Sequence, residues 1–416
     1  MITPFHRIQK LAAQRDVHAA FHWLHLHEPQ LRRWQMELVA IPAPPFGESE
    51  RAQWLLERFK ELNLHNPHID TEGNVLAQFL SPCHSERSEE SHSLSSPQNS
   101  GLPVLLSAHI DTVFPLGTNC TPHEEEKIIR APGICDNAAG VTAMLAIAAA
   151  LTHAGIPANI LFAGNVGEEG EGNLRGMRHL FRSPYNIKAA IALDGSGTDT
   201  VVTQALGSRR FRVQITGPGG HSWTDAGAPN PALVLAHALT SIGELALPNR
   251  PRTTLNIGTI QAGTSVNSIP SFAQSLIDTR SPDPNELLRL EVFLHRAVED
   301  AVLSANKSAA KSHRTERLAY TIDLIGDRPS AALPDDSPLL ATIQAVDRHL
   351  SIKTAPRLGS TDANIPLSLG IPAVAMGAGG TGGSVHTTAE WFDPTGRELA
   401  LRRILLTLLD LSSSTN

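Results

Sequence analysis

The sequence predicts an α/β protein in which a mostly parallel sheet is sandwiched by helices and a smaller α+β domain is inserted. Between residues 103 and 195, strand-like apolar runs alternate with helical stretches, which is typical of a parallel sheet covered on both faces. After about residue 207 the pattern changes to amphipathic strands, and near residue 328 the earlier pattern returns. At 416 residues, the chain also exceeds the size at which one hydrophobic core stops growing, so two domains are expected.

The first quarter of the chain is mainly helical. Helical periodicity covers residues 5–38 and, after the breaker "IPAPPFGESE", residues 51–64, and "TEGNVLAQF" then predicts a strand. Residues 81–101 are rich in Ser, Glu and His and almost free of large apolar groups. Because such a stretch buries too little surface to offset its ordering entropy, we predict a mobile surface insertion without chemistry of its own.

The remaining elements divide between the two predicted domains. The main domain, 1–207, continues with the strands and helices "PVLLSAHI", 137–154, "ANILFAG", 173–182 and "KAAIALDG". The inserted domain, 208–326, contains the strands "RRFRVQITG", "TTLNIGTIQAG", "FAQSLIDTR" and "LAYTIDLIG" and helices over 229–247 and 285–305. The main domain resumes over 327–416 with the helix "SPLLATIQAVDRHL", the strand "PAVAMG" and a closing helix over 396–411.

Composition excludes several classes of partner. The 34 Lys and Arg residues against 41 Asp and Glu give a net charge of −7, which argues against nucleic acid or an anionic membrane as the main partner. Cys83, Cys120 and Cys135 are too few for a disulfide framework or a thiolate zinc site. The basic N-terminal stretch contains no continuous apolar run, which argues against a secretory signal. We therefore expect a cytoplasmic protein.

Polar residues follow several of the predicted strands. Ligands bind at the carboxyl ends of strands in an open parallel sheet, so these residues are candidates for a common site. They are His109 and Asp111, Glu168 and Glu169, and Asp194. Two further candidates lie elsewhere: Asp136 precedes a predicted helix, and His386 follows a glycine-rich loop.

These residue types suit a metal centre. Residues two apart in a strand point the same way, so Asp111 can hydrogen-bond the ring nitrogen of His109 that does not face a metal. Asp136 is favoured as an anion by the helix dipole and could bridge two cations, which would polarise a carbonyl and activate a water. Glu168 is the natural general base if Glu169 is a ligand.

Other patterns in the chain have simpler interpretations. "GPGGHSW" lacks the Lys and Ser/Thr of a phosphate loop. The N-terminal histidines include a pair at i, i+4 spacing, but without a supporting carboxylate they indicate one polar face of a helix. Each strand-end motif alone would be typical of a solvated loop, and their joint placement favours a site.

Several motifs resemble the dizinc exopeptidase and amidohydrolase family that includes aminoacylase, peptidase T, glutamate carboxypeptidase, acetylornithine deacetylase and succinyl-diaminopimelate desuccinylase. They occur in family order over roughly residues 35–400, and the tripeptidase-like branch is the most similar. The motifs are "SAHIDTVFP", "GICDNAAGVTAML", "GEEGEGNLRG", "ALDG", "GPGGHS", "GTSVNSIP", "DTRS", "LGSTDAN" and "VHTTAEW". The 81–101 insertion has no counterpart in the family pattern.

The resemblance implies a zinc-peptidase-like catalytic domain with two Zn²⁺ ions, for which Co²⁺ or Mn²⁺ are possible substitutes. Asp136 would bridge the ions, with His109 and Asp194 completing one site and Glu169 and His386 completing the other. Glu168 would be the general base, and Asp111 would orient His109. The Asp136–Asn137 peptide bond would be cis.

The resemblance also assigns roles to the inserted domain, as a lid and as the contact surface of a homodimer. His221 would reach an active site, that of the partner subunit, and stabilise the oxyanion. Asn267 and Arg280 would hold polar or carboxylate groups of the substrate.

The function implied is an exopeptidase that removes the N-terminal residue from short peptides, as an aminopeptidase or tripeptidase does. Two alternatives stay open. A deacylase of N-acyl amino acids or a carboxypeptidase would use the same dizinc centre and differ in pocket contacts. A catalytically inactive binding protein could have the same fold, although the candidate ligands and base are all present.

Overall fold

The computed structural model describes residues 3–80, 101–182, 185–311, 315 and 317–413. The predicted insertion over 81–101 lies outside the described residues except for Gly101. The chain divides into two compact units, the first formed by Met1–Gln204 with Ala332–Asn416 and the second by Ala205–Ala331. Within the described ranges, no helix combines the length and the apolar character needed to cross a bilayer.

The helices, in chain order, are α1 (Pro4–Ala12), α2 (Arg15–Leu26), α3 (Glu28–Val39), α4 (Ser49–Glu61), α5 (Ala138–Ala154), α6 (Arg175–Leu180), α7 (Pro231–Gly243), α8 (Pro284–Lys311), α9 (Pro338–Leu350), α10 (Asn364–Ser368) and α11 (Arg397–Ser413), with a 3₁₀ turn at Gly170–Gly172. The strands are β1 (His65–Ile69), β2 (Val75–Leu80), β3 (Val104–His109), β4 (His123–Glu125), β5 (Ile128–Arg130), β6 (Asn159–Asn165), β7 (Ala189–Leu193), β8 (Thr200–Ala205), β9 (Gly207–Thr216), β10 (Gly220–His221), β11 (Thr254–Ala262), β12 (Ser268–Ile269), β13 (Phe272–Ser281), β14 (Ala319–Arg328), β15 (Ala331–Ala332), β16 (Ala355–Gly359), β17 (Ala373–Met376), β18 (Thr381–Gly383) and β19 (Trp391–Asp393).

A nine-stranded sheet forms the centre of the first unit, in the order β1-β2-β6-β3-β7-β17-β8-β15, with β16 paired to β8. The four central strands, β6, β3, β7 and β17, are parallel. Antiparallel pairs extend the sheet on both sides. The predicted fold class is confirmed, and the carboxyl ends of the central strands meet at one edge of the sheet.

Helix α5 is the most deeply buried helix near this edge. The Asn137 side chain caps it by accepting a hydrogen bond from the Gly140 backbone N–H, and Gly155 ends it with a φ of 65°. Nearly all of its residues, from Ala138 to Leu151, are buried. A helix that is apolar on every side belongs in a core, so α5 holds the residues before it in a fixed position.

The second unit contains a four-stranded antiparallel sheet in the order β11-β13-β9-β14, and a separate pair of strands, β10 and β12. Alternate residues of β9, namely Phe211, Val213 and Ile215, are buried together with apolar residues of α7 and α8. This alternation is typical of a sheet with one covered face. Strand β11 lies at one end of the strand order, and all of its residues from Gly258 to Ala262 are exposed.

Candidate metal centre

Three of the central strands bring predicted residues to the same edge. His109 is the last residue of β3, Asp194 directly follows β7, and Glu168 and Glu169 follow β6 by a few residues. Asp136 lies two residues before α5. His386 lies between β18 and β19 and has a φ of 65°, a conformation that is unfavourable for a residue with a Cβ.

Four of these side chains contact one another. The Asp136 carboxylate lies between two imidazoles, with Oδ1 3.1 Å from Nε2 of His109 and Oδ2 3.0 Å from Nε2 of His386. Nε2 of His386 is also 2.9 Å from Oε1 of Glu169. One potential ligand atom each from His109, Asp136 and Glu169 lie within 4.8 Å of one another. The arrangement offers two nitrogen and several oxygen atoms to a common centre.

Asp111 fixes the loop that carries the two glutamates. Its carboxylate is fully buried and accepts hydrogen bonds from the backbone N–H groups of Glu168 at 3.0 Å and Glu169 at 2.8 Å. The distance from its Oδ1 to Nδ1 of His109 is 3.6 Å, whereas its backbone oxygen lies 3.2 Å from that nitrogen. The backbone oxygen is therefore the closer acceptor for His109.

Asp194 lies near this group, and its carboxyl interacts electrostatically with Asp136, His109 and Glu169. Its backbone N–H donates to the Met376 oxygen at 2.9 Å, and Asn137 binds the backbone on either side through the Leu193 oxygen at 2.8 Å and the Gly195 N–H at 3.3 Å. Burial and then the charge of Asp136 raise the pKa of Asp194 to about 7. Asn137 thus links the backbone beside Asp194 to Asp136, its neighbour in the chain. The Asp136–Asn137 peptide bond is cis, as the resemblance implied.

The charges in the site favour a cation. Burial alone would raise the pKa of Asp136, but hydrogen bonds with His109 and His386 outweigh it and lower the pKa. Hydrogen bonds with Asp136 and then with Glu169 raise the pKa of His386 to about 10. The carboxylates repel one another and favour protonation of His386 and Asp194. A divalent cation would stabilise their negative charge. Imidazole and carboxylate donors suit zinc, cobalt or manganese, so the residues fit such an ion.

Comparison with known proteins identifies the family. A model of peptidase family M20/M25/M40 matches residues 105–409. The chain belongs to this peptidase family. The resemblance noted from the motifs is thereby confirmed, and the prediction of an amide-bond hydrolase is confirmed at the level of the family.

Solved structures similar to this M20 family member confirm the fold. A tripeptidase from Staphylococcus aureus is 23% identical, with a TM-score of 0.71 over 93% of this chain and 99% of that one. A Bacillus subtilis protein described as a dinuclear metal-binding peptidase is 15% identical, with a TM-score of 0.63 over 93% of this chain and 99% of that one. Among curated proteins, a probable carboxypeptidase from Emericella nidulans is 27% identical over 59% of this chain. The match spans 61% of that relative's own length.

The other three predicted site residues of this M20 peptidase lie in the second unit. His221 is exposed in β10 and pairs with Ser268 in β12, while the Ser222 N–H donates to the Asn267 oxygen at 3.0 Å. The two short strands therefore bring His221 and Asn267 close together. Arg280 lies on β13 and forms an ion pair with Asp278 at 2.8 Å.

Sequence reasoning missed two residues that hold the backbone of the site. The motifs predicted a cis peptide bond before Asn137 but no role for its side chain, which binds the backbone around Asp194. Glu390 lies in the quoted motif "VHTTAEW" and is fully buried, and its carboxylate accepts three backbone hydrogen bonds from residues 133–136. The sequence gives one signal for Glu390, a carboxylate between apolar neighbours and beside Trp391, and this signal alone does not specify a partner.

Proposed function

We propose that the chain is a metal-dependent exopeptidase that removes the N-terminal residue from short peptides, as a tripeptidase does. The observation that carries this proposal is the contact among His109, Asp136, Glu169 and His386 at the carboxyl edge of the sheet, beside Glu168. The similarity to a tripeptidase over almost the whole chain supports the choice of substrate class.

The proposed metal ligands are His109, Asp136, Glu169, Asp194 and His386, with Asp136 as the bridging ligand and zinc as the native metal. Each oxygen of Asp136 faces a different imidazole, which is the placement that a bridging carboxylate requires. A pair of divalent cations would polarise the scissile carbonyl and lower the pKa of a water molecule. Cobalt or manganese would be functional substitutes.

Glu168 is the proposed general base. Its side chain is buried, with 5% exposure, and its backbone N–H is fixed by the Asp111 carboxylate at 3.0 Å. A carboxylate held in this way can accept a proton from the attacking water and pass it to the leaving amine. Asp111 would act indirectly, by fixing both the Glu168 loop and the orientation of His109.

The roles proposed for the second unit rest on the family resemblance. His221 would stabilise the oxyanion of the tetrahedral intermediate, and Asn267 and Arg280 would bind polar groups of the substrate. The unit would serve as a lid and as the contact surface of a homodimer. The exposed edge strand β11 supports the second role, because an unpaired strand edge can pair with another chain. A cytoplasmic location is also part of the proposal.

A carboxypeptidase or a deacylase of N-acyl amino acids is the second candidate function. The carboxypeptidase alternative is supported by the similarity to the probable carboxypeptidase from Emericella nidulans. The same ligands and base would serve this reaction, because specificity depends on groups that contact the ends of the substrate.

A panel of tripeptides, dipeptides, N-acetyl amino acids and N-blocked dipeptides tests the proposal. We expect the zinc-loaded protein to hydrolyse tripeptides and release the N-terminal residue, with blocked peptides as poor substrates. Turnover of only the acylated or blocked compounds would replace the aminopeptidase proposal with the second candidate. Metal binding without turnover of any compound would favour a binding protein. The Glu168→Gln variant is the matched control, because it keeps the size of the side chain and removes the base.

A further inference from the structure

Glu390 connects two loops that carry proposed metal ligands. Its Oε2 accepts the Gly133 N–H at 2.8 Å, and its Oε1 accepts the N–H groups of Cys135 and Asp136, both at 2.8 Å. The Glu390 backbone oxygen accepts a fourth hydrogen bond, from the Ala131 N–H at 3.2 Å. The loop over 131–136 is therefore bound to Glu390 at both ends.

Glu390 also closes the turn that directly follows the one carrying His386. The Glu390 N–H donates to the Thr387 oxygen at 3.2 Å, and the Thr387 N–H donates to the Ser384 oxygen at 3.1 Å. His386 lies in the first of these two turns, between Ser384 and Thr387, with its unfavourable positive φ. The two turns share Thr387, whose N–H and oxygen take part in one bond each. Movement of Glu390 would thus affect both the bridging aspartate and one of the imidazoles that face it.

All three hydrogen bonds that the Glu390 carboxylate accepts come from backbone N–H groups. Glu390 is fully buried, so an unsatisfied carboxylate at this position would be strongly destabilised. Three N–H groups converge on two oxygens, which no amide or hydroxyl side chain could accept equally well. The chemistry of the position therefore requires a carboxylate and not only a buried polar group.

We infer that Glu390 is a positioning residue that presets Asp136 for cation binding by fixing the backbone of residues 131–136. The inference rests on the proposed metal centre and adds a residue that acts on the ligands without contacting the metal. Loss of a group that orients a metal ligand typically weakens metal affinity by about 10- to 100-fold. We expect a loss of this size when Glu390 is replaced.

The experiment compares zinc dissociation constants of metal-free wild-type protein, Glu390→Gln and Glu390→Ala, by competition with a chromophoric chelator. Gln keeps one oxygen, so its NH₂ group would face at least one backbone N–H, whereas Ala removes both acceptor oxygens and all three hydrogen bonds. The control is Asp347→Asn, because Asp347 is another buried acid of the first unit but pairs with the Arg403 side chain. Melting temperatures of the metal-free proteins separate stability from affinity.

We expect Glu390→Gln to weaken zinc binding by about 10- to 100-fold and Glu390→Ala by at least as much. Asp347→Asn should lower the melting temperature and leave the zinc dissociation constant unchanged. Wild-type affinity in Glu390→Gln would overturn the inference, as would an equal loss of affinity in Asp347→Asn. Absence of zinc binding in the wild-type protein would instead overturn the proposed function.

Hydrogen exchange of the wild-type protein supplies a test that does not depend on the folding of any variant. The amides of Gly133, Cys135 and Asp136 should exchange slowly in the metal-free protein, because Glu390 holds them before any ion binds. Rapid exchange that becomes slow only after zinc is added would show that the metal organises the loop, and would overturn the inference.

Discussion

Replacement of Asp111 by Asn should impair catalysis as well as stability, because Asp111 holds the backbone of the proposed base and of a proposed metal ligand. Each oxygen of the buried Asp111 carboxylate accepts one backbone N–H, at 3.0 and 2.8 Å. Asn keeps a single oxygen, and its amide would point toward the other N–H, so one hydrogen bond to a charged acceptor is lost. Such a bond contributes about 1.5–3 kcal/mol. Since about 1.4 kcal/mol corresponds to a factor of ten, we expect kcat/KM to fall by about 10- to 100-fold.

The assay is the steady-state hydrolysis of a tripeptide at saturating zinc, with metal content and thermal unfolding measured on the same preparations. Asp410→Asn is a suitable control, because Asp410 is also buried but pairs with Arg7 and Thr342 at 2.8 Å. The control should lose stability and keep its activity per folded molecule. Wild-type kcat/KM in Asp111→Asn, or an equal loss in both variants, would refute the idea that Asp111 acts by fixing the catalytic loop.

Three further predictions concern the base, the metal and the thiols. Glu168→Gln should retain zinc while kcat falls by roughly 10² to 10⁴, and unchanged turnover would mean that another group is the base. Removal of metal by a chelator should abolish tripeptide hydrolysis and zinc should restore it, whereas activity that persists in metal-free protein would exclude the proposed chemistry. In a Cys83→Ser background, native protein should resist alkylation at pH 8, because Cys120 and Cys135 are buried and burial raises the pKa of the Cys135 thiol to about 12. Rapid native labelling of either thiol would contradict this.

The central strands could be predicted from the sequence because each is a short, wholly buried apolar run. β3 and β7 show this pattern, and the polar residues that follow them, His109 and Asp194, could therefore be assigned to one edge. β1 escaped prediction, because "HNPHI" is largely exposed and contains Pro67. Short strands such as β5, β18 and β19 have too few residues for a period to be visible.

Helix boundaries at the N-terminus show a different limit. Helical periodicity over 5–38 predicts continuous helix, but the chain forms three helices, with breaks near Ala13 and His27. Pro29 lies in the first turn of α3, where a missing N–H is tolerated, and this was the available signal for a break. The spacing of apolar residues indicates which side of a helix faces the core. It does not indicate where one helix ends and the next begins in a new direction.

The grouping of site residues could be anticipated only in part. Three contacts link His109, Asp136, His386 and Glu169 in series, although 250 residues separate Asp136 from His386. Residues such as Glu390, whose partners are backbone N–H groups, leave no matching side chain elsewhere in the sequence. Hydrogen bonds of this kind become visible only when the path of the backbone is known.

Anomalous X-ray diffraction from zinc-loaded crystals, recorded on both sides of the zinc edge, tests the metal centre most directly. We expect two anomalous peaks at the carboxyl edge of the central sheet, on either side of the Asp136 carboxylate. One should contact His109 and Asp194, and the other Glu169 and His386. Absence of zinc from this edge, in crystals of protein that hydrolyses tripeptides, would contradict the proposed centre.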